Sequence, residues 1–273
     1  MKLASISYYP VKSTTGHEVS EADVLPWGLA GDRRYLIADA DGRTLTARAE
    51  PRLLSIVPLL DGDTLTLTGP HAEPLTVTPS PAALSPVTLW GREVELTDCG
   101  EDAAAWLTAL VGRPVRLKWL DDPRRRPVDP DYGRPDDRVS LADGFPLLLT
   151  SAASLARLND WITEDALERG EEPPAPLTMR RFRPNVVVDG MPLEPFAEDE
   201  WKRLRIGEVE FRAVKGCARC VLTTIDPDTC DKGKEPIRTL SRYRKRDGKV
   251  WFGVNIIPDG PGHIAVGDPV TIL

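Results

Sequence analysis

Apolar and polar residues alternate along much of the first 120 positions, and the alternating runs are separated by short polar turns. Thr64-Leu-Thr-Leu-Thr68 has a period of two, the spacing of a strand with one buried face. Leu53 to Leu60, the Asp61-Gly62 turn and this run predict a hairpin. Tyr35-Leu-Ile-Ala38 with Arg43-Thr-Leu-Thr-Ala47, joined by Asp39-Ala-Asp-Gly42, predicts another, and Val87-Thr-Leu-Trp90 with Glu93-Val-Glu-Leu-Thr97 a third. Many short strands at this spacing indicate a barrel or sandwich. The period changes near Ala103–Val111, a helix-prone stretch with Asp98 as cap and Gly112 and Pro114 as its stop, before a strand over Val115–Leu120.

Residues 121–137 form a charged, proline-rich run too long for a simple connection. It reads as a lid or a disordered surface segment and marks a boundary between two domains, 1–120 and 121–273. Beyond it, Leu155, Leu158, Trp161 and Ile162 recur at helical spacing behind Ser151, a good cap. A polar loop is expected over Glu164–Pro176. Strands are expected at Asn185–Val188, Glu208–Val214 and Pro269–Leu273, and Pro236 opens a short basic helix over Ile237–Arg246. The fold class is α+β, predominantly β, with a few short helices.

Composition adds three limits. A net charge of −7 argues against a general nucleic-acid binder, which needs a basic field. No apolar stretch approaches the roughly 18 residues of a spanning helix, and the polar start predicts no signal peptide, so no membrane partner is expected and the chain is read as cytoplasmic. Of four cysteines, Cys99, Cys217, Cys220 and Cys230, three fall within fourteen residues, which points to metal or redox chemistry rather than a disulfide framework.

Cys217-Ala-Arg-Cys220 fits a zinc site if Cys230 and Cys99 or His263 complete it, a dithiol redox pair, or one thiolate ligand to a soft-accepting transition metal. Two buried, inert cysteines are the plain alternative. Arg219 and Lys215 lie close enough in sequence to favour a thiolate. Cations cluster at strand ends: Lys12-Ser13, Arg33-Arg34, and Arg180-Arg181-Phe182-Arg183-Pro184-Asn185, where Phe182 and Pro184 box in Arg183. Asp226-Pro227-Asp228 reads as a turn. No Walker or Rossmann glycine loop is present.

Taken in order, Tyr9-Pro-Val-Lys-Ser13, Gly28-Leu-Ala-Gly-Asp-Arg33, Thr46-Ala-Arg-Ala-Glu-Pro-Arg52, Phe182-Arg-Pro-Asn185, the run from Cys217 to Thr229, Lys234-Glu-Pro236 and Gly267-Asp-Pro269 resemble the MOSC-domain proteins with a MOSC N-terminal β-barrel domain. These include bacterial MOSC reductases and the mitochondrial amidoxime-reducing component. The resemblance implies an N-terminal β-barrel-like domain and a C-terminal MOSC β-barrel domain. It implies a molybdenum cofactor (Mo-molybdopterin) whose metal is bound by the Cys220 thiolate, the catalytic group. Lys12, Ser13, Arg33, Ser151, Arg183, Asn185 and Arg219 would hold the pterin and its phosphate.

The implied reaction is reduction of small N-hydroxylated compounds. No cysteine run of the ferredoxin kind is present, so electrons are expected from a separate protein of ferredoxin, flavoprotein or cytochrome type. A persulfide carrier or transferase, or a cofactor-binding protein without turnover, are the alternatives. One residue departs from the family pattern: Cys230 stands where relatives usually carry Gly, at a position where positive φ is tolerated cheaply only by Gly.

Overall fold

The computed structural model describes residues 1–273, mostly as strands with three α-helices. The chain packs as two compact units, neither of them a single continuous segment. The first comprises Met1–Ser7, Glu18–Leu29 and Pro146–Leu273; the second comprises Tyr8–His17 and Ala30–Phe145.

The first unit is built on a large sheet. Its strand order is Val270–Ile272, Arg203–Ile206, Val209–Arg219, Lys249–Pro258, Leu147–Ser151, Val186–Asp189, Lys2–Tyr8 and His17–Val19, with Lys245–Arg246 paired to Lys249–Pro258. Leu147–Ser151 runs parallel to Val186–Asp189 and antiparallel to Lys249–Pro258. Both central strands read as continuous apolar runs, the pattern of strands covered on both faces. A small sheet of Gly262–Ala265, Glu21–Leu25 and Gly28–Leu29 completes this unit's strands. Helices α2 (Ala152–Glu168) and α3 (Ile237–Tyr243) cover the sheet. Their contact surface is a cluster of Leu158, Ile162, Phe182, Leu240 and Phe252, in which the rings of Phe182 and Phe252 stack at 4.0 Å. Fully burying one such side chain contributes about 1.5–3 kcal/mol.

The second unit holds two open sheets: Tyr35–Asp39, Val115–Trp119, Arg92–Asp98 and Leu84–Leu89 in one, and Val57–Asp61, Thr64–Gly69 and Ala72–Val77 in the other. Leu36, Ala38, Val87, Leu89, Val94 and Leu96 bury their side chains together with Leu120 and Leu141. Helix α1 (Glu101–Val111) ends at Gly112, whose φ of 80° is the left-handed cap that glycine adopts without strain.

Several expectations need correction. The strand orders are open paths, so the barrel closure implied by the resemblance is absent from the ladders. Leu53–Ser55 lies in a 3-10 turn, Pro51–Ser55, because Pro51 fixes a helical φ. Arg43–Ala47 makes only bridges, Ala38 to Thr44 and Arg43 to Thr88. Residues 121–137 are ordered: Arg125 pairs with Asp121, and Arg126 donates to the carbonyls of Ser140, Ala142 and Asp143. Helix α2 runs to Glu168, beyond the expected start of a loop, and α3 stops at Tyr243. The strand expected at Glu208–Val214 continues to Arg219. No helix is long and apolar enough to cross a membrane.

Candidate functional site

The Val209–Arg219 strand carries Cys217 and Arg219 and delivers Cys220 at its end. Its pairing with Lys249–Pro258 is broken twice. Ala213 faces Ile256 and Lys215 faces Asn255, which leaves Val214 extra on one strand. Gly216 then faces Val254 and Ala218 faces Trp251, which leaves the surplus residue on the other, at Phe252–Gly253. Such bulges re-aim side chains and are over-represented beside functional sites. Gly253 adopts φ +77°, as a glycine bulge requires.

Cys220 is the extended cap of a 3-10 turn, Val221–Thr224. Thr223 donates to the Cys220 carbonyl from its backbone N (3.1 Å) and its hydroxyl (3.0 Å), and the Thr224 hydroxyl donates to Val221 O at 2.8 Å. The backbone of Cys220 is therefore held from behind while the residue itself is exposed. Asp226-Pro227-Asp228 forms the expected turn. Asp226 accepts from the backbone N of Asp228 (2.9 Å) and Thr229 (3.1 Å), and from Arg181 at 2.6 Å. The Asp228 N–H, with Arg181 adding to it, holds this carboxyl below the ordinary range. Arg180 to Asp228, 2.7 Å, is a second tie between this turn and the 3-10 turn Met179–Phe182.

Arg219 does not accompany Cys220. Its Nη1 donates to Cys217 Sγ at 2.9 Å and its Nη2 to Phe182 O at 2.6 Å, with the guanidinium 5.5 Å from the Phe182 ring. Its Nε is buried without a protein partner. A buried donor left unmade costs about 1–3 kcal/mol, which a ligand acceptor would recover. Arg183 follows in the left-handed region, φ 55° and ψ 45°, a conformation that non-glycine residues adopt mostly where surrounding structure enforces it.

Asn185 is buried and ties strands: Oδ1 accepts from Leu148 N at 3.1 Å, and Nδ2 donates to Ser7 O at 3.2 Å. Ser151 caps α2, accepting from Ser154 N at 3.1 Å. Its hydroxyl also donates to Glu198 at 3.1 Å, and Ser154 meets both oxygens of that carboxylate at 2.8 and 2.9 Å. Ser151 and Glu198 are fully buried, and burial pushes the Glu198 carboxyl up. In the first unit, then, Arg219, Cys217 and Phe182 meet directly, with Cys220 and Arg183 adjacent in sequence to that contact, while Ser151 is enclosed in a cap with Glu198.

In the second unit, Lys12 and Ser13 are the central residues of the turn from Val11 to Thr14, and the backbone N–H of Arg33 donates to Tyr9 O at 2.8 Å. Lys12 is 6% exposed, and its Nζ donates to Leu141 O (3.0 Å) and Asp143 Oδ1 (2.5 Å). Burial pulls its ammonium below the usual lysine value, against the pull of Asp143. Arg33 donates to the fully buried Asp32 at 2.7 Å and lies 4.4 Å over the Tyr9 ring, and Asp32 accepts from Tyr9 N at 2.9 Å. Ser13 and Arg33 both have positive φ, 69° and 46°. Sequence reasoning passed over Asp143 and Trp90. Asp143 accepts from Trp90 Nε1 at 3.2 Å, and Arg48 lies 4.4 Å over the Trp90 ring. Neither residue is part of a recognisable spacing, so only the contact reveals them.

No group of three or more His, Cys, Asp or Glu side chains is placed to hold a metal ion, and all four cysteines are free. The four-ligand zinc site is therefore not built. Residues 1–114 match the MOSC N-terminal beta barrel domain and residues 136–271 the MOSC domain. The chain belongs to the MOSC-domain family. This MOSC protein is 39% identical to mitochondrial amidoxime-reducing component 1 of Homo sapiens over 292 residues, covering 99% of the chain and 82% of the relative. It is 34% identical to mitochondrial amidoxime reducing component 2 of Homo sapiens, covering 98% and 82%. It is also 34% identical to the molybdenum cofactor sulfurase of Danio rerio, covering 92% of the chain but 31% of that protein.

Proposed function

We propose that this MOSC protein is a molybdenum-cofactor-dependent reductase of small N-hydroxylated compounds, with Cys220 as the protein ligand to the metal. The observation that carries the reading is the exposed Cys220, its backbone fixed by Thr223, next in sequence to an arginine with a buried, unpartnered N–H. It occurs in a chain alignable almost end to end with amidoxime-reducing components.

The donor set fits such a group. One exposed thiol without further clustered ligands suits a metal that brings its own chelating sulfurs. When bound, the cofactor supplies two-electron redox chemistry, so that R–NHOH, two electrons and two protons give R–NH2 and water.

In this reading the protein binds and orients. Cys220 offers a thiolate from a rigid turn. Arg219 offers Nε, suited to phosphate and pterin edges, and Arg183 adds a guanidinium charge to the proposed set. Lys12 keeps Leu141 O and Asp143 and offers its third N–H to an anion. Ser13, Arg33, Ser151 and Asn185 belong to the proposed cofactor-holding set, Asn185 and Ser151 chiefly by fixing the backbone around them. Electrons come from a separate redox protein.

The test is molybdenum quantification together with reduction of an amidoxime or a hydroxylamino base by an artificial electron donor. Molybdenum and turnover, both lost in Cys220→Ala, support the proposal. Turnover without molybdenum refutes it. The sulfurase relative favours one rival, a persulfide carrier, for which cyanide-labile sulfur on Cys220 without metal is the signature.

A further inference from the structure

Resting on that reading, we propose that Cys217 is a positioning residue for the cofactor, acting through Arg219. The two cysteines of the Cys217-Ala-Arg-Cys220 run have different environments. Cys220 is exposed at a turn. Cys217 is half-buried within the strand, between Gly216 and Ala218, opposite the second bulge at Phe252–Gly253.

The Cys217 sulfur accepts Arg219 Nη1 at 2.9 Å, a close contact for an acceptor as large as sulfur. Phe182 O accepts Nη2 at 2.6 Å, and the Phe182 ring lies under the guanidinium. Phe182 is itself locked in the core against Phe252. Two nitrogens of a planar group are thus fixed, one by a rigid backbone carbonyl and one by Cys217. Those two nitrogens together with the Phe182 ring face fix the plane of the guanidinium, and with it the direction in which Nε–H points. That Nε is the one nitrogen left without an acceptor. Removing the sulfur leaves Arg219 held only by the Phe182 carbonyl and ring, with the position of Nη1, and so of Nε, less tightly set.

Cys217 therefore neither ligates metal nor pairs with Cys220. It fixes an arginine next in sequence to the ligand, so that a cofactor acceptor meets a donor already in place. Pre-organisation of this kind lowers the ordering cost of binding.

The experiment uses the purified holoprotein and reads molybdenum and released pterin retained after timed dilution into cofactor-free buffer, which requires no turnover. Cys217→Ala, Cys217→Ser, Arg219→Ala and the Cys217→Ala/Arg219→Ala double variant are compared, with thermal unfolding as a check that each is folded. Loss of one hydrogen bond of ordinary net strength predicts release about three- to tenfold faster in Cys217→Ala. Cys217→Ser, whose hydroxyl also accepts, stays nearer to the unmutated protein. In the Arg219→Ala background, Cys217→Ala adds nothing further, because its effect passes through the arginine.

Unchanged release in Cys217→Ala, or an equal additional loss in the Arg219→Ala background, overturns the positioning role and leaves the cofactor reading standing. An unmutated protein that carries no molybdenum overturns the cofactor reading and this role with it.

Discussion

Gly253→Ala strikes the bulge that sets the direction of Cys217 and Arg219. The glycine has φ +77°, and a Cβ built there lies 2.7 Å from Leu149 O and 2.7 Å from Thr150 Cγ2. Left-handed backbone costs an alanine about 1–2 kcal/mol. The clash with a backbone oxygen in the neighbouring strand cannot be relieved by rotating a side chain, and overpacking of this kind adds about 1–3 kcal/mol. Stiffening of the unfolded chain returns about 0.4–1 kcal/mol. The sum is a destabilisation of about 2–4 kcal/mol, a large share of the roughly 5–15 kcal/mol that holds an ordinary domain together. Urea denaturation followed by tryptophan fluorescence reports it. With a slope of about 3 kcal/mol/M, the midpoint falls by about 1 M. A shift below about 0.3 M at unchanged slope would mean that the bulge yields easily, and the reasoning from fixed strand geometry to a fixed Arg219 would fail.

Other outcomes follow from single residues. Cys230 sits at φ 64°, so Cys230→Gly relieves left-handed strain and, after the entropy glycine loses, stabilises by about 0.5–1 kcal/mol, seen as a raised urea midpoint; a lowered midpoint would show that the thiol makes compensating contacts. The His263 imidazole is raised above its ordinary value by its hydrogen bond to Asp23, 2.8 Å away, with Glu21 adding to the effect. A raised folded-state value means the contribution is fully present below the unfolded value of 6.5 and fades as pH rises through the folded one. Unfolding curves between about pH 6 and pH 8 should therefore show the unmutated protein losing its advantage over His263→Gln as pH rises, and a constant difference would count against the pairing. Phe182→Ala opens the stack against Phe252 and should cost about 3–5 kcal/mol, measurable in the same denaturant titration; a cost near 1 kcal/mol would mean the site is not anchored in the core.

Much of the architecture was legible because local rules and tertiary packing agree. Thr64–Gly69 and Arg92–Asp98 form where period-two alternation placed them, and Ser151 caps α2 as its position before an apolar helical face indicated. The long central strand Lys249–Pro258 was not read: it has no alternation, and its pairing with Val209–Arg219 is long-range, set by partners far away in sequence. The charged segment 121–137 looked unstructured because charge alone does not reveal that Arg126 would satisfy three backbone carbonyls.

At the site, the cations and Cys220 could be found as a pattern of residue types at strand ends. Sequence proximity suggested that Arg219 serves Cys220, but alternation along an extended strand places residues two apart on the same side, and Arg219 meets Cys217 instead. Asp143 escaped notice because its partner Lys12 lies 131 positions away.

The central claim concerns the sulfur of Cys220, and the most direct measurement is molybdenum X-ray absorption on the purified protein and on Cys220→Ser. The account predicts a metal with one more sulfur neighbour in the unmutated protein than in the variant. The same sulfur shell in both proteins would contradict it.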